Sequence, residues 1–143
     1  MLSRLLLGAS VAWIALLTVT VLLAHPALAA AVGRFSSFIC HQEPDRTFHV
    51  GSSAWAVCAR CLGLYAAAPI GALLVLAVRW RPGTTRGNVV LLCVAGVPTA
   101  ATWIAEHVLG WPMTNVIRFA AALPLGAAVA WVMGYTLSDA RRG

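Results

Sequence analysis

Four stretches of this chain are long and apolar enough to cross a lipid bilayer, and no other feature narrows its fold as far. A spanning helix needs about 20 mostly apolar residues to match a hydrocarbon core about 30 Å thick. Residues 5–23, 62–78, 89–109 and 116–137 meet that requirement. Hydrocarbon offers the backbone no hydrogen-bonding partner, so each run must satisfy its own peptide groups, as a helix does. Of the 143 residues 61% are hydrophobic and only 10% charged, against roughly 25% charged in soluble domains. A soluble core of this size could not hide so much continuous apolar chain. The expected fold is therefore all-α: a single integral membrane domain over residues 1–143, a four-transmembrane-helix bundle with the lipid bilayer as its first partner. Pro98 and Pro124 interrupt the last two runs, where kinks are expected, and Trp80, Trp103, Trp111 and Trp131 lie toward span ends as an interfacial belt would place them.

Orientation follows from the basic residues. All ten are arginine, and a formal charge of +6 would suggest nucleic acid if they formed a stripe with aromatic residues. They do not; they flank apolar runs, so nucleic acid is excluded as the expected partner. Arg4 precedes the first span, Arg79, Arg81 and Arg86 crowd the connection between the second and third, and Arg141 and Arg142 follow the last. With four spans these share one side, which the positive-inside rule makes the cytoplasm. Both termini are then cytoplasmic, and the segment 34–61 is an extracytoplasmic loop between helices 1 and 2. Arginine in place of lysine, with abundant alanine, points to a GC-rich bacterial genome and a bacterial cytoplasmic membrane. Ala27-Leu28-Ala29 has the small-x-small form of a signal-peptidase site, but the preceding apolar run is long for a signal peptide, so an uncleaved helix is expected.

The outer loop holds most of the chemistry. Cys58-Ala59-Arg60-Cys61 is a C-x-x-C pair at the start of the second span, with Cys40, His41 and His49 upstream. Three thiolates and an imidazole form a tetrahedral zinc set. Cys40 and His41 are adjacent and would have difficulty reaching one ion together, so His49 is the better fourth ligand. A redox reading, second to the metal one, has its own physical support: a helix N-terminus and Arg60 would stabilise a thiolate at Cys58 or Cys61, with Cys40 as a further partner. An inert disulfide from Cys40 to Cys58 or Cys61 is the plainer alternative, since an outward compartment permits it. Cys93, mid-span, reads as a packing residue. Pro44 and Gly51 punctuate the loop, Glu43, Asp45 and Arg46 could pair or orient a ligating histidine, and Gly63 near Tyr65 suits close helix packing.

Polar residues recur at the outer ends of spans three and four: Thr102, Glu106 and His107, then Thr114, Asn115 and Arg118. Ionisable groups within spans are costly and face the bundle interior or water. Glu106 and Arg118 are expected to pair across the short turn, as a clasp or as part of a metal or anion site. Thr114 is expected to cap the fourth span.

Cys40-His41-Gln42, Pro44-x-Arg46-Thr47-Phe48, Gly51 and Cys58-x-Arg60-Cys61-x-Gly63-x-Tyr65 together resemble the signature of the domain-of-unknown-function 2085 family of small prokaryotic membrane proteins. Thr114-Asn115-x-x-Arg118-Phe119 is similar to that family's closing segment. The departure is Thr102, where the family pattern implies an aspartate; Glu106 stands one turn on. The resemblance implies several spans and a Cys/His-rich outer loop, without a reaction. Three functions remain open: a membrane protein binding zinc or another transition metal, a thiol–disulfide protein, or a small transporter or ligand-binding bundle. A homo-oligomer or an additional membrane partner is compatible with each.

Overall fold

A computed structural model of the chain describes residues 2–23, 25–77 and 85–139. Among them are five α-helices: α1 (Leu2–Leu23), α2 (Pro26–Ser36), α3 (Ala59–Ala77), α4 (Thr85–His107) and α5 (Asn115–Asp139). Four are long and apolar enough to cross a membrane, over Ser3–Leu23, Ala59–Ala77, Thr85–His107 and Asn115–Leu137. Against the sequence reading, the second span starts three residues earlier, at Ala59, and the third runs from Thr85 to His107 rather than from 89 to 109. Val78, Trp80 and four of the orienting arginines, Arg79, Arg81, Arg141 and Arg142, lie outside the described residues.

The connection between α1 and α3 is more ordered than a loop. Pro26 sits at the N-terminus of α2, where its missing N–H costs nothing and its fixed φ suits the helix. Ala27-Leu28-Ala29 therefore lies within a helix. After α2 come a 3₁₀ turn at Pro44–Arg46 and a hairpin, β1 (His49–Val50) with β2 (Ser53–Ala54), paired antiparallel with His49 opposite Ala54. Gly51 opens the two-residue hairpin turn at φ +60°, the left-handed start that a tight β-turn of this kind requires.

Small residues set the central seam. Gly63, Ala67 and Gly71 on α3, and Ala122, Gly126, Ala130 and Gly134 on α5, recur every four residues and are all buried. Between membrane helices no hydrophobic driving force exists, so close backbone approach is what holds them. A methyl group at Gly63 would collide with the Phe119 carbonyl, at Gly71 with the Ala127 carbonyl and at Gly126 with the Leu64 carbonyl. The sequence reading reached Gly63; the seam extends through both helices. α1 packs on this pair through Leu17 and through Trp13, which meets Tyr65 edge-on at 6.0 Å and Phe35 at 5.4 Å. α4 is peripheral: only 6% of its spanning window is buried, against 33% for α3. It is tied to α5 by Thr99, whose hydroxyl donates to the Ala121 carbonyl at 2.8 Å. Pro69, Pro98 and Pro124 all lie inside these helices.

The best-packed region is at one end of the bundle. Leu17, Val32, Cys40, Val57 and Leu62 form a buried cluster flanked by Trp13, Phe48, Trp55, Tyr65 and Phe119. The segment holding the cysteines is thus docked into the bundle rather than floating over it.

Candidate functional site

Two parts of the chain bring three sulfurs together. Cys40 follows α2, its N–H bonded to the Ser36 carbonyl at 2.9 Å; Cys58 immediately precedes α3; Cys61 lies in the first turn of α3. The sulfurs of Cys40, Cys58 and Cys61 all lie within 4.8 Å of one another. A tetrahedral zinc with bonds of about 2.3 Å needs sulfurs about 3.8 Å apart, so an ion would draw them in by at most about 1 Å. All four cysteines of the chain are free thiols, and Cys93 is exposed on the peripheral helix α4.

Cys58 behaves as a helix N-cap. Its carbonyl accepts the first intrahelical bond, from the Leu62 N–H at 2.9 Å. A hydrogen bond from the Cys61 thiol, helped by N–H groups of the first helical turn and by Cys40, lowers the Cys58 pKa to about 5 despite burial. The α3 N-terminus acts in the same direction. Cys40, only 6% exposed, receives two backbone donors, the Cys58 N–H at 3.2 Å and the Gln42 N–H at 3.5 Å.

Gln42 is the residue the sequence reading left without a role. Its side-chain amide donates to the Gly33 carbonyl at 2.7 Å and to the Ala56 carbonyl at 2.8 Å, tying the end of α2 to the chain entering α3. To do so it adopts φ +52°, uncommon for a residue with a side chain. The clue was its place between Cys40-His41 and the acidic turn, a polar amide where little else could span the loop.

Next to the sulfurs stands one carboxylate with three guanidinium partners. Glu106, near the end of α4, is 10% exposed at its side chain. Arg118 of α5 reaches it with Nη2 at 2.5 Å and Nε at 3.3 Å, Arg60 of α3 with Nη2 at 2.8 Å, and Arg46 of the 3₁₀ turn with Nε at 3.4 Å. The expected Glu106–Arg118 pair is present, within a larger network. Arg118 also donates to Asn115 Oδ1 at 2.6 Å, and the Asn115 amide donates to the Thr47 carbonyl at 3.0 Å. Thr114 caps α5, accepting the Ile117 N–H at 3.3 Å. α3, α4, α5 and the 3₁₀ turn are thereby tied to Glu106 or Arg118.

A cavity of about 300 Å³ joins the two clusters, lined by Cys40, Cys58, Cys61, His41, Arg46, Arg60 and Arg118, with Glu43, Ile39 and Trp103. The histidines separate. His41 faces this cavity, whereas His49 is exposed on β1 and lines a different, apolar groove with Ile14, Val50 and Trp55. His49 therefore stands apart from the three sulfurs, on a hairpin bordering a groove walled by α1, α3 and α5. His107 is also elsewhere: its ring stacks on Trp103 at 4.6 Å and its Nδ1 lies 3.0 Å from the Trp103 carbonyl. Tyr65 is half-buried against Trp13.

These features define a small multi-span membrane protein with a three-cysteine, three-arginine cavity at one end of its helices. The family described as "Predicted membrane protein (DUF2085)" matches residues 40–132, and the chain belongs to it. An uncharacterized protein of Methanothermobacter thermautotrophicus is 30% identical over 93 residues, covering 65% of this chain and 82% of that one. A second uncharacterized protein, from Methanocaldococcus jannaschii, is 29% identical over 93 residues, 65% of this chain and 60% of its own length. No solved structure matches the chain.

Proposed function

We propose that this chain is an integral membrane protein that holds a divalent transition metal, zinc in the first place, between Cys40, Cys58 and Cys61. The observation that carries the reading is the convergence of three sulfurs within 4.8 Å from two separate parts of the chain. A depressed Cys58 pKa favours the thiolate form that binds metal. The fourth position falls to His41, which lines the same cavity, or to a small ligand. With His41 bound the site is closed and structural; without it, an open position suits catalysis or metal handling.

The site faces outward in this reading. Arg4 and Arg86, at the starts of α1 and α4, lie toward the end of the bundle opposite Glu106, and the positive-inside rule assigns that end to the cytoplasm. The setting is a prokaryotic cytoplasmic membrane, bacterial by the composition argument, with relatives from archaea.

A second reading draws on the Cys58 pKa of about 5. The Cys58 thiolate attacks a disulfide on a partner and Cys61 then displaces the partner's thiol. One disulfide forms here as the partner's opens to two thiols.

The deciding experiment is metal analysis of the purified protein together with thiol titration before and after reduction. One equivalent of metal, lost in Cys58→Ser and Cys61→Ser, is the expected result. A protein that takes up no zinc sinks the metal reading, and a reducible Cys58–Cys61 disulfide in that protein supports the second.

A further inference from the structure

Glu106 does not use up the positive charge gathered around it. Arg46, Arg60 and Arg118 all line the cavity of about 300 Å³. Glu43, the carboxylate on its wall, is 55% exposed at its side chain, so water screens much of its charge. Against Glu106 and the Cys58 thiolate, three guanidinium groups leave a net positive charge. Arg60 spends Nη2 on Glu106, but its Nε is shut off from solvent and has no hydrogen-bond partner among the described residues. A buried donor of that kind is costly to leave unmade. The N-termini of α3 and α5, which carry Arg60 and Arg118 in or next to their first turns, add partial positive charge at the same place.

We propose that this cavity binds a phosphoryl oxyanion, with Arg60 and Arg46 as its principal donors and Arg118 behind them. The donors come from three elements, the 3₁₀ turn, α3 and α5, and so approach from separate directions. A tetrahedral oxyanion presents acceptors to all of them, in more directions than a second planar carboxylate beside Glu106 would. The cavity lies at the ends of the spanning helices, and the headgroup zone of a bilayer begins where its spanning segments end. The phosphoryl group could arrive as free phosphate or on a phospholipid. This site shares its walls with the sulfur cluster but does not depend on a bound metal.

The test uses the full chain in uncharged detergent, reduced and stripped of metal, titrated with inorganic phosphate at ionic strength held constant with chloride. Binding is read by phosphorus NMR line width and by thermal unfolding. Saturable binding is expected, weakened about tenfold or more in Arg60→Gln and Arg46→Gln, as loss of a charged hydrogen bond implies, with acetate failing to compete. Arg46 is one-third exposed and makes only 3.4 Å contacts, so Arg46→Gln keeps the test informative if Arg60→Gln does not fold. In a parallel arm the protein is placed in nanodiscs of phosphatidylglycerol or of a phosphate-free galactolipid. Arginine-dependent stabilisation by phosphatidylglycerol alone identifies the lipid headgroup as the source. The proposal is overturned if neither form of phosphate binds, or if both variants bind as the natural chain does. Because metal is absent throughout, failure of the metal reading leaves this outcome untouched.

Discussion

Replacing Glu106 with glutamine removes the single carboxylate on which α3, α4, α5 and the 3₁₀ turn converge. The side chain is 10% exposed and its closest partners, Arg118 and Arg60, are 10% and 14% exposed, so water cannot take its place cheaply. Breaking a buried ion pair from one side costs about 3–5 kcal/mol, because the partner charge is left uncompensated. Here at least two guanidinium groups are left facing each other. Glutamine keeps one carbonyl oxygen, which returns about 1 kcal/mol as an acceptor. Arg46, one-third exposed, loses little. The net expectation is a loss of about 2–4 kcal/mol in Glu106→Gln. Reversible unfolding in mixed detergent micelles measures it, with Glu43→Gln as the comparison. Glu43 is 55% exposed and touches Arg46 at 3.4 Å, so its replacement should cost no more than about 0.5 kcal/mol. A Glu106→Gln protein as stable as Glu43→Gln would refute the argument that this carboxylate holds the end of the bundle together. A double-mutant cycle with Arg118→Gln should show coupling above about 1 kcal/mol.

The helix seam and the reactive thiol offer two further expectations. Gly126→Ala forces α3 and α5 apart at the Leu64 backbone and should cost about 1–3 kcal/mol. Gly8→Ala, with nothing within 4 Å of the added methyl, should be neutral or slightly stabilising, and equal stabilities would exclude close backbone packing as the source of the seam. Cys58 in metal-free, reduced protein should alkylate with iodoacetamide at a rate that stays level from neutral pH downward and falls only as pH drops through about 5. The sign follows from the depressed pKa: the thiolate is present above that value and lost below it. A free thiol of ordinary pKa, about 8.5, should lose rate about tenfold per pH unit through the same range. A Cys58 rate that tracks the free thiol would show that its neighbours do not stabilise the thiolate.

Hydropathy alone located four spanning helices, because the bilayer imposes a length and a polarity on any segment that crosses it, and both are local properties. Other local relations were equally legible. The C-x-x-C pair falls at the start of α3, Thr114 caps α5, and Glu106 meets Arg118 across a short turn, since each depends on residues close in sequence. The tertiary structure decided what required helices to meet at a particular rotation. Cys40 joins Cys58 and Cys61 because Gln42 ties α2 to the chain entering α3, while His49 is carried on a hairpin beside a separate groove. Arg60 and Arg118 reach the same carboxylate with small residues on α3 and α5 bringing their backbones together beside it. Periodicity tells which residues are apolar enough to be buried, but in a bilayer almost every face of a helix is apolar. Only the fit of one backbone against another could choose the face, and with it the site.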